Sequence, residues 1–157
     1  MPSFVVGPDD PRSSDVRALL ELHLRFAHEH SPPEDVHALD VDGLLDPAVT
    51  LFSVRNDGDL VAVGAIRQLD PDHVEVKAMH TVESARGQGA GRAMLDHLLA
   101  VAVERGAVRV SLETGSMEAF AAARALYARA GFVPCDPFGD YEPSPNSTFM
   151  TLELADT

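Results

Sequence analysis

The chain has 157 residues, 45% hydrophobic and 24% charged, which is enough for one globular domain over residues 1–157 with a sizeable core. Its formal net charge of −13 argues against nucleic acid or an anionic membrane as a partner, and no apolar run approaches the roughly 20 residues that span a bilayer. The start, Met1-Pro2-Ser3-Phe4, carries no basic or long apolar leader, and Cys135 is the only cysteine, so the expected setting is cytoplasmic and reducing.

Ser3 to Gly7 reads as a first strand. Ser13-Ser14-Asp15 offers a helix N-cap, and Val16, Leu19, Leu20, His23, Phe26 and Ala27 follow at helical spacing until Ser31-Pro32-Pro33 stops them. A helical turn fits Val41 to Leu45. Thr50 to Arg55 and Leu60 to Leu69 read as strands joined by the hairpin signal Asn56-Asp57-Gly58-Asp59. Asp70-Pro71-Asp72 turns the chain into a strand from His73 to Val82, with Glu75, Lys77, Met79 and Thr81 expected on one face and Val74, Val76, Ala78 and His80 on the other. After a glycine-rich loop come a helix over 93–104, a strand over 108–113, a helix over 119–130, a short strand at Phe132-Val133, a proline-rich loop and a last strand over 148–154. The order is that of an α/β (α+β) protein with a mixed, mostly antiparallel sheet of six or seven strands and helices on both faces.

The loop Arg86-Gly87-Gln88-Gly89-Ala90-Gly91-Arg92 lies between a strand and a helix. Its glycines let backbone N–H groups turn toward a ligand, the helix start adds partial positive charge, and two arginines flank it: the makings of a phosphate cradle. It lacks the lysine and hydroxyl residue of a P-loop, and Arg92 stands where a dinucleotide-binding loop has its third glycine.

Read as Arg86-x-x-Gly89-x-Gly91, the loop resembles the pyrophosphate loop of the GNAT superfamily of acetyl-CoA-dependent N-acetyltransferases. Leu126-Tyr127-Ala128-Arg129-Ala130-Gly131-Phe132 resembles that family's LYxxxGF segment at the family's spacing. Ser31 to Asp40, Pro137 to Tyr141 and Asn146 to Met150 are similar to segments of a largely uncharacterised bacterial branch. The resemblance implies acetyl-CoA as cosubstrate and direct attack of a small-molecule or peptide amine on the thioester. A catalytically silent acyl-CoA-binding regulatory module of the same fold is the alternative.

Carried over to these positions, the resemblance implies that residues 86–92 hold the pyrophosphate. Met79, His80 and Thr81 offer backbone to the pantetheine arm, and Ser116 stands in for a customary asparagine. Glu75 becomes the candidate general base, set against an ordinary strand-face pair with Lys77, the only lysine. Lys77 is a candidate substrate contact and self-acetylation site. Tyr127 becomes the candidate general acid, set against a core tyrosine. His37, Phe138 and Tyr141 are candidate walls of the acceptor site, and the 134–148 loop covers that site or packs on a second subunit, which leaves a homodimer open. His23, His28, His30 and His37 cluster in sequence but form no metal-binding motif, so no metal is expected.

Overall fold

The structure is a computed structural model that describes residues 3–36 and 39–154. In chain order it contains β1 (Phe4–Pro8), α1 (Ser14–His30), α2 (Val41–Leu44), β2 (Val49–Asn56), β3 (Asp59–Asp70), β4 (His73–Thr81), α3 (Ala90–Glu104), β5 (Arg109–Gly115), α4 (Ala121–Arg129), β6 (Val133–Pro134) and β7 (Ser147–Glu153). The seven strands form one sheet in the order β1-β2-β3-β4-β5-β7-β6. Every pairing is antiparallel except β4 with β5, which are joined through the crossover helix α3.

The expected hairpin is present as a two-residue turn. Asp57 and Gly58 both take positive φ, 51° and 89°, as the right-handed twist of the flanking strands requires. Alternation along β2 and β3 then feeds two cores. Leu51, Val63 and Ala65 meet Val16, Leu19 and Leu20 of α1 and Leu44 of α2 on one face. Phe52, Val54, Ala62 and Ile66 meet Met94, Leu95, Leu98 and Ala102 of α3 on the other, with Tyr127 and Phe132. Both faces of the central strands are covered, so these strands read as near-continuous apolar runs.

Two departures from the sequence reading shape the centre of the sheet. α3 begins at Ala90, earlier than the apolar periodicity suggests, because Gly89 at φ 91° serves as its N-cap. And β4 does not alternate evenly. Val63 pairs with His80 and Ala65 with Lys77, so Ala78 and Met79 together oppose Gly64 alone. Ala78 sits in the left-handed region at φ 57°. This is a β-bulge, and it exchanges the faces of every residue after it. Glu75, Lys77 and His80 therefore share the α1 face, whereas Met79 and Thr81 turn toward α3, correcting the expected grouping. Gly64 makes room for the bulge: a Cβ there would lie 2.7 Å from Met94 Cγ and 2.9 Å from Met79 Sδ.

A positive φ is strained for a β-branched residue. Ala78→Val is expected to lower stability in urea unfolding by about 1–3 kcal/mol, with Ala78→Gly staying within ~1 kcal/mol of the parent. Equal losses in the two variants would show that backbone conformation at 78 is not what the bulge depends on.

Candidate active site

β4 and β5 pair only from His73/Arg109 to Val76/Leu112. β4 runs on to Thr81 and β5 to Gly115 without each other. The gap opens into a cleft of about 650 Å³ whose walls come from α1, β4, the glycine loop, β5 and α4. Gly87 and Gly89 both have positive φ, 79° and 91°, and a Cβ added to either would meet nothing within 4 Å. The loop is thus open on its ligand side. α3 starts with no side-chain cap and no acidic residue in its first turn, which leaves its positive end uncompensated in a strongly acidic chain.

Met79, His80, Thr81, Arg86, Gly87, Gly89, Ala90, Gly91 and Arg92 line this cleft, as do Lys77 and Tyr127. Two members of the expected cosubstrate set do not. Gln88 points its amide toward the Ser84 carbonyl at 3.5 Å, and the Ser116 hydroxyl is engaged with Thr148 at 2.7 Å. Arg92 is paired with Asp96 at 2.9 Å. The side chains of Arg86 and Arg129 make no hydrogen bond or ion pair among the described residues, and both residues line the cleft. Arg129 escaped the sequence reading because it sits inside the segment that supplies Tyr127.

Glu75, Phe138 and Tyr141 lie elsewhere, around a second cavity of about 550 Å³. Glu75 is only 2% exposed. Its carboxylate accepts the Tyr141 hydroxyl and faces the Lys77 ammonium at 3.3 Å, while Lys77 also donates to the Tyr141 oxygen at 2.8 Å. The three side chains form a closed triangle, with Tyr141 held protonated by burial and by the Glu75 charge. Phe138 packs edge-on against His73, Tyr141 and Phe149, which fixes the loop from below. His37 falls outside the described residues.

Two carboxyls do line the cleft, Asp35 and Glu113; Glu113 is the one on the sheet, on β5, one residue past the last β4–β5 pair. Burial pushes its pKa up to about 7; Ser147 and Lys77 pull it down, while Glu75 and Asp35 push it up. Nothing in the sequence marks it out: β5 also carries Arg109, Ser111 and Thr114. Across from it Tyr127, 6% exposed, is raised well above the ordinary phenol range by burial and then by the Glu113 charge. A phenol so placed keeps its proton at neutral pH and has it available to give.

On the α1 side His23 and His80 bring their Nδ1 atoms to 3.0 Å. Burial dominates in lowering both pKa values to about 4, so near neutral pH one imidazole donates and the other accepts. Phe26 reaches over to Phe120 at 5.4 Å between ring centres and closes this side of the cleft. Phe120 lies flat on Gly115, where any Cβ would come within 2.3 Å of its ring.

Residues 15–132 match the Acetyltransferase (GNAT) family. The chain is 40% identical over 153 residues to the uncharacterized N-acetyltransferase YedL of Escherichia coli, covering 98% of this chain and 96% of that one. It is 42% identical over 146 residues to the uncharacterized N-acetyltransferase YsnE of Bacillus subtilis, covering 93% and 97%. Among solved structures it resembles a candidate acyl-CoA N-acyltransferase of Klebsiella pneumoniae, with a TM-score of 0.82, 29% identity and coverage of 97% and 98%. A GNAT family acetyltransferase of Elizabethkingia anophelis solved with acetyl-CoA bound shares the fold, with a TM-score of 0.71, 18% identity and coverage of 96% and 98%. A sheet that parts beside an uncapped helix start, carrying the two expected motifs, has the company its sequence led one to expect: the chain belongs to the GNAT family of acetyltransferases, enzymes that use acetyl-CoA as cosubstrate.

Proposed function

We propose that this chain, acting as one domain in the cytoplasm, transfers the acetyl group of acetyl-CoA to an amine by direct attack, with no covalent enzyme intermediate. The observation that carries this reading is the parting of β4 from β5 directly beside the open glycine loop. Backbone N–H groups of the loop and of the first turn of α3, with Arg86 and Arg129, are suited to the phosphates. The backbone of Met79, His80 and Thr81 is free of β5 and available to the pantetheine arm and the thioester carbonyl.

Two groups in the cleft divide the proton work. Glu113, with a pKa near the operating pH, accepts the proton that the ammonium must lose before its nitrogen attacks. Tyr127 holds its proton and donates it to the departing thiolate. Glu75, the base suggested by sequence, is enclosed by Tyr141 and Lys77 in the neighbouring cavity and serves here to fasten the acceptor-side loop. The divided roles follow from environment alone: one slot, two acids, opposite tasks.

Tyr127→Phe is expected to lower kcat by ~10²-fold while leaving KM for acetyl-CoA within a few-fold, read by thiol release with an amine that supports turnover. Unchanged turnover would remove Tyr127 from the reaction. Glu113→Gln should abolish the limb of the kcat/KM profile that rises near pH 7. The same group has a stability signature. Its folded pKa lies above the ordinary value of 4.5, so the unfolded chain loses this proton first and stability falls as pH rises from about 4.5 to about 7. The urea midpoint of the parent should therefore drop more between pH 5 and pH 8 than that of Glu113→Gln. Parallel midpoints would show that Glu113 is not held in its protonated form.

A further inference from the structure

The cosubstrate cleft and the second cavity share a wall, since Lys77 and Asp35 line both. The second cavity lies between β3, β4, the turn at Glu34-Asp35 and the loop over 138–143. Its charges sort by depth. Glu34, Asp140 and Glu142 are exposed and form the rim. Inside, Glu75 is taken by Lys77 and Tyr141, and Asp35 accepts from the Asn146 amide at 3.0 Å.

One interior charge is left over. Arg67, directly across from Glu75 on the adjacent strand, is partly buried and lines the cavity. Its side chain makes no hydrogen bond or ion pair among the described residues. Carboxylates outnumber basic side chains 25 to 12 in this chain, so an arginine facing a cavity without an acid is not explained by a shortage of partners. Arg86 and Arg129 share this condition and face the cleft where phosphates are expected. Arg25 shares it on the open surface, so it is the enclosure of Arg67 in a cavity that points to a ligand. A guanidinium held partly out of water, with its donors unfilled, is matched best by a planar oxyanion in a two-point contact.

We infer that Arg67 binds a carboxylate of the acceptor, and that the acceptor is accordingly an amino acid rather than a simple amine. This rests on the transfer reaction proposed above. Held by its carboxylate at Arg67, the molecule directs its amine toward the shared wall and the cleft beyond. Leu39, Leu69 and Phe138 give the remainder an apolar lining, which favours an uncharged side chain.

The test compares neutral L-amino acids with their methyl esters and with the corresponding decarboxylated amines, by thiol release from acetyl-CoA. A series of ω-amino acids of increasing length extends the comparison. A charge-assisted contact of this kind should make kcat/KM for the free acid roughly ten- to a hundredfold higher than for its ester. Arg67→Gln should collapse that ratio toward unity, mainly through KM of the acid, and Arg67→Lys should restore part of it. Because the ratio is taken within each protein, a poorly folded variant does not imitate the result. Esters and amines serving as well as acids in the parent, or a ratio that survives Arg67→Gln, would overturn the inference. Thermal stability titrated with acetyl-CoA separates the two levels. Binding of acetyl-CoA with turnover of amines but not of amino acids discards the carboxylate contact alone, whereas failure to bind acetyl-CoA discards the transfer reaction itself.

Discussion

Two parallel strands that stay hydrogen-bonded for four residues and then part set the terms for the rest of this molecule. A strand that loses a neighbour inside a sheet is left with N–H and C=O groups that need other partners. The chain accepts that cost at its centre and arranges everything around it. The bulge at Ala78 gives β4 the extra residue with which it bends away, and Gly64 on β3 lets Met79 and Met94 close in behind the bend. The segment over 82–89 carries the chain from the end of β4 to the start of α3, and the open strand and the open helix start line the same cleft. β7 fills the sheet on the far side of β5, so the gap opens without splitting the core.

Electrostatics follow the same economy. The chain carries a large excess of negative charge, and its exposed arginines mostly answer it locally: Arg12 with Asp10, Arg17 with Glu21, Arg55 with Asp9 and Asp15. Such surface pairs contribute little to stability. Arg67, Arg86 and Arg129 are not used up in this way, and each lines a cavity. Burial does the complementary task for the acids. It lifts both Glu113 and Tyr127, leaving the carboxyl near neutrality and the phenol protonated well above it.

Much of this was legible in the residues. The element order, the hairpin at Asn56 to Asp59 and the glycine loop rest on local signals: period-two runs, a turn that demands positive φ, and backbone that must approach a ligand. The bulge was not legible, because alanine at 78 carries none of the marks by which glycine or asparagine announces a left-handed residue. That one position moved His80 to the face of Glu75 and sent Met79 and Thr81 to the other. The surroundings of the carboxylates were hidden for a different reason. Glu75 and Glu113 are both acids on neighbouring strands, and what distinguishes them is that Tyr141, 66 residues on, closes over the first, while the gap in the sheet exposes the second. No pattern within either strand encodes an event at that separation. Arg67 likewise looks ordinary in a strand and acquires meaning only when the carboxylates around it are seen to have other partners.

The triangle of Glu75, Lys77 and Tyr141 has a bearing on how such a protein changes over time. The donor side of the site is made of sheet and helix, and few of its parts can vary without disturbing the core. The second cavity, which the reading above gives to the acceptor, is roofed by a proline-bounded loop that reaches the sheet through the polar contacts of Tyr141 and the packing of Phe138. As long as those fastenings are kept, the residues between and beside them are free to drift, because loops tolerate substitution that frameworks do not. Descent from a common ancestor can then preserve the choice of donor while the choice of acceptor diverges, one surface conservative and the other exploratory within a single small chain.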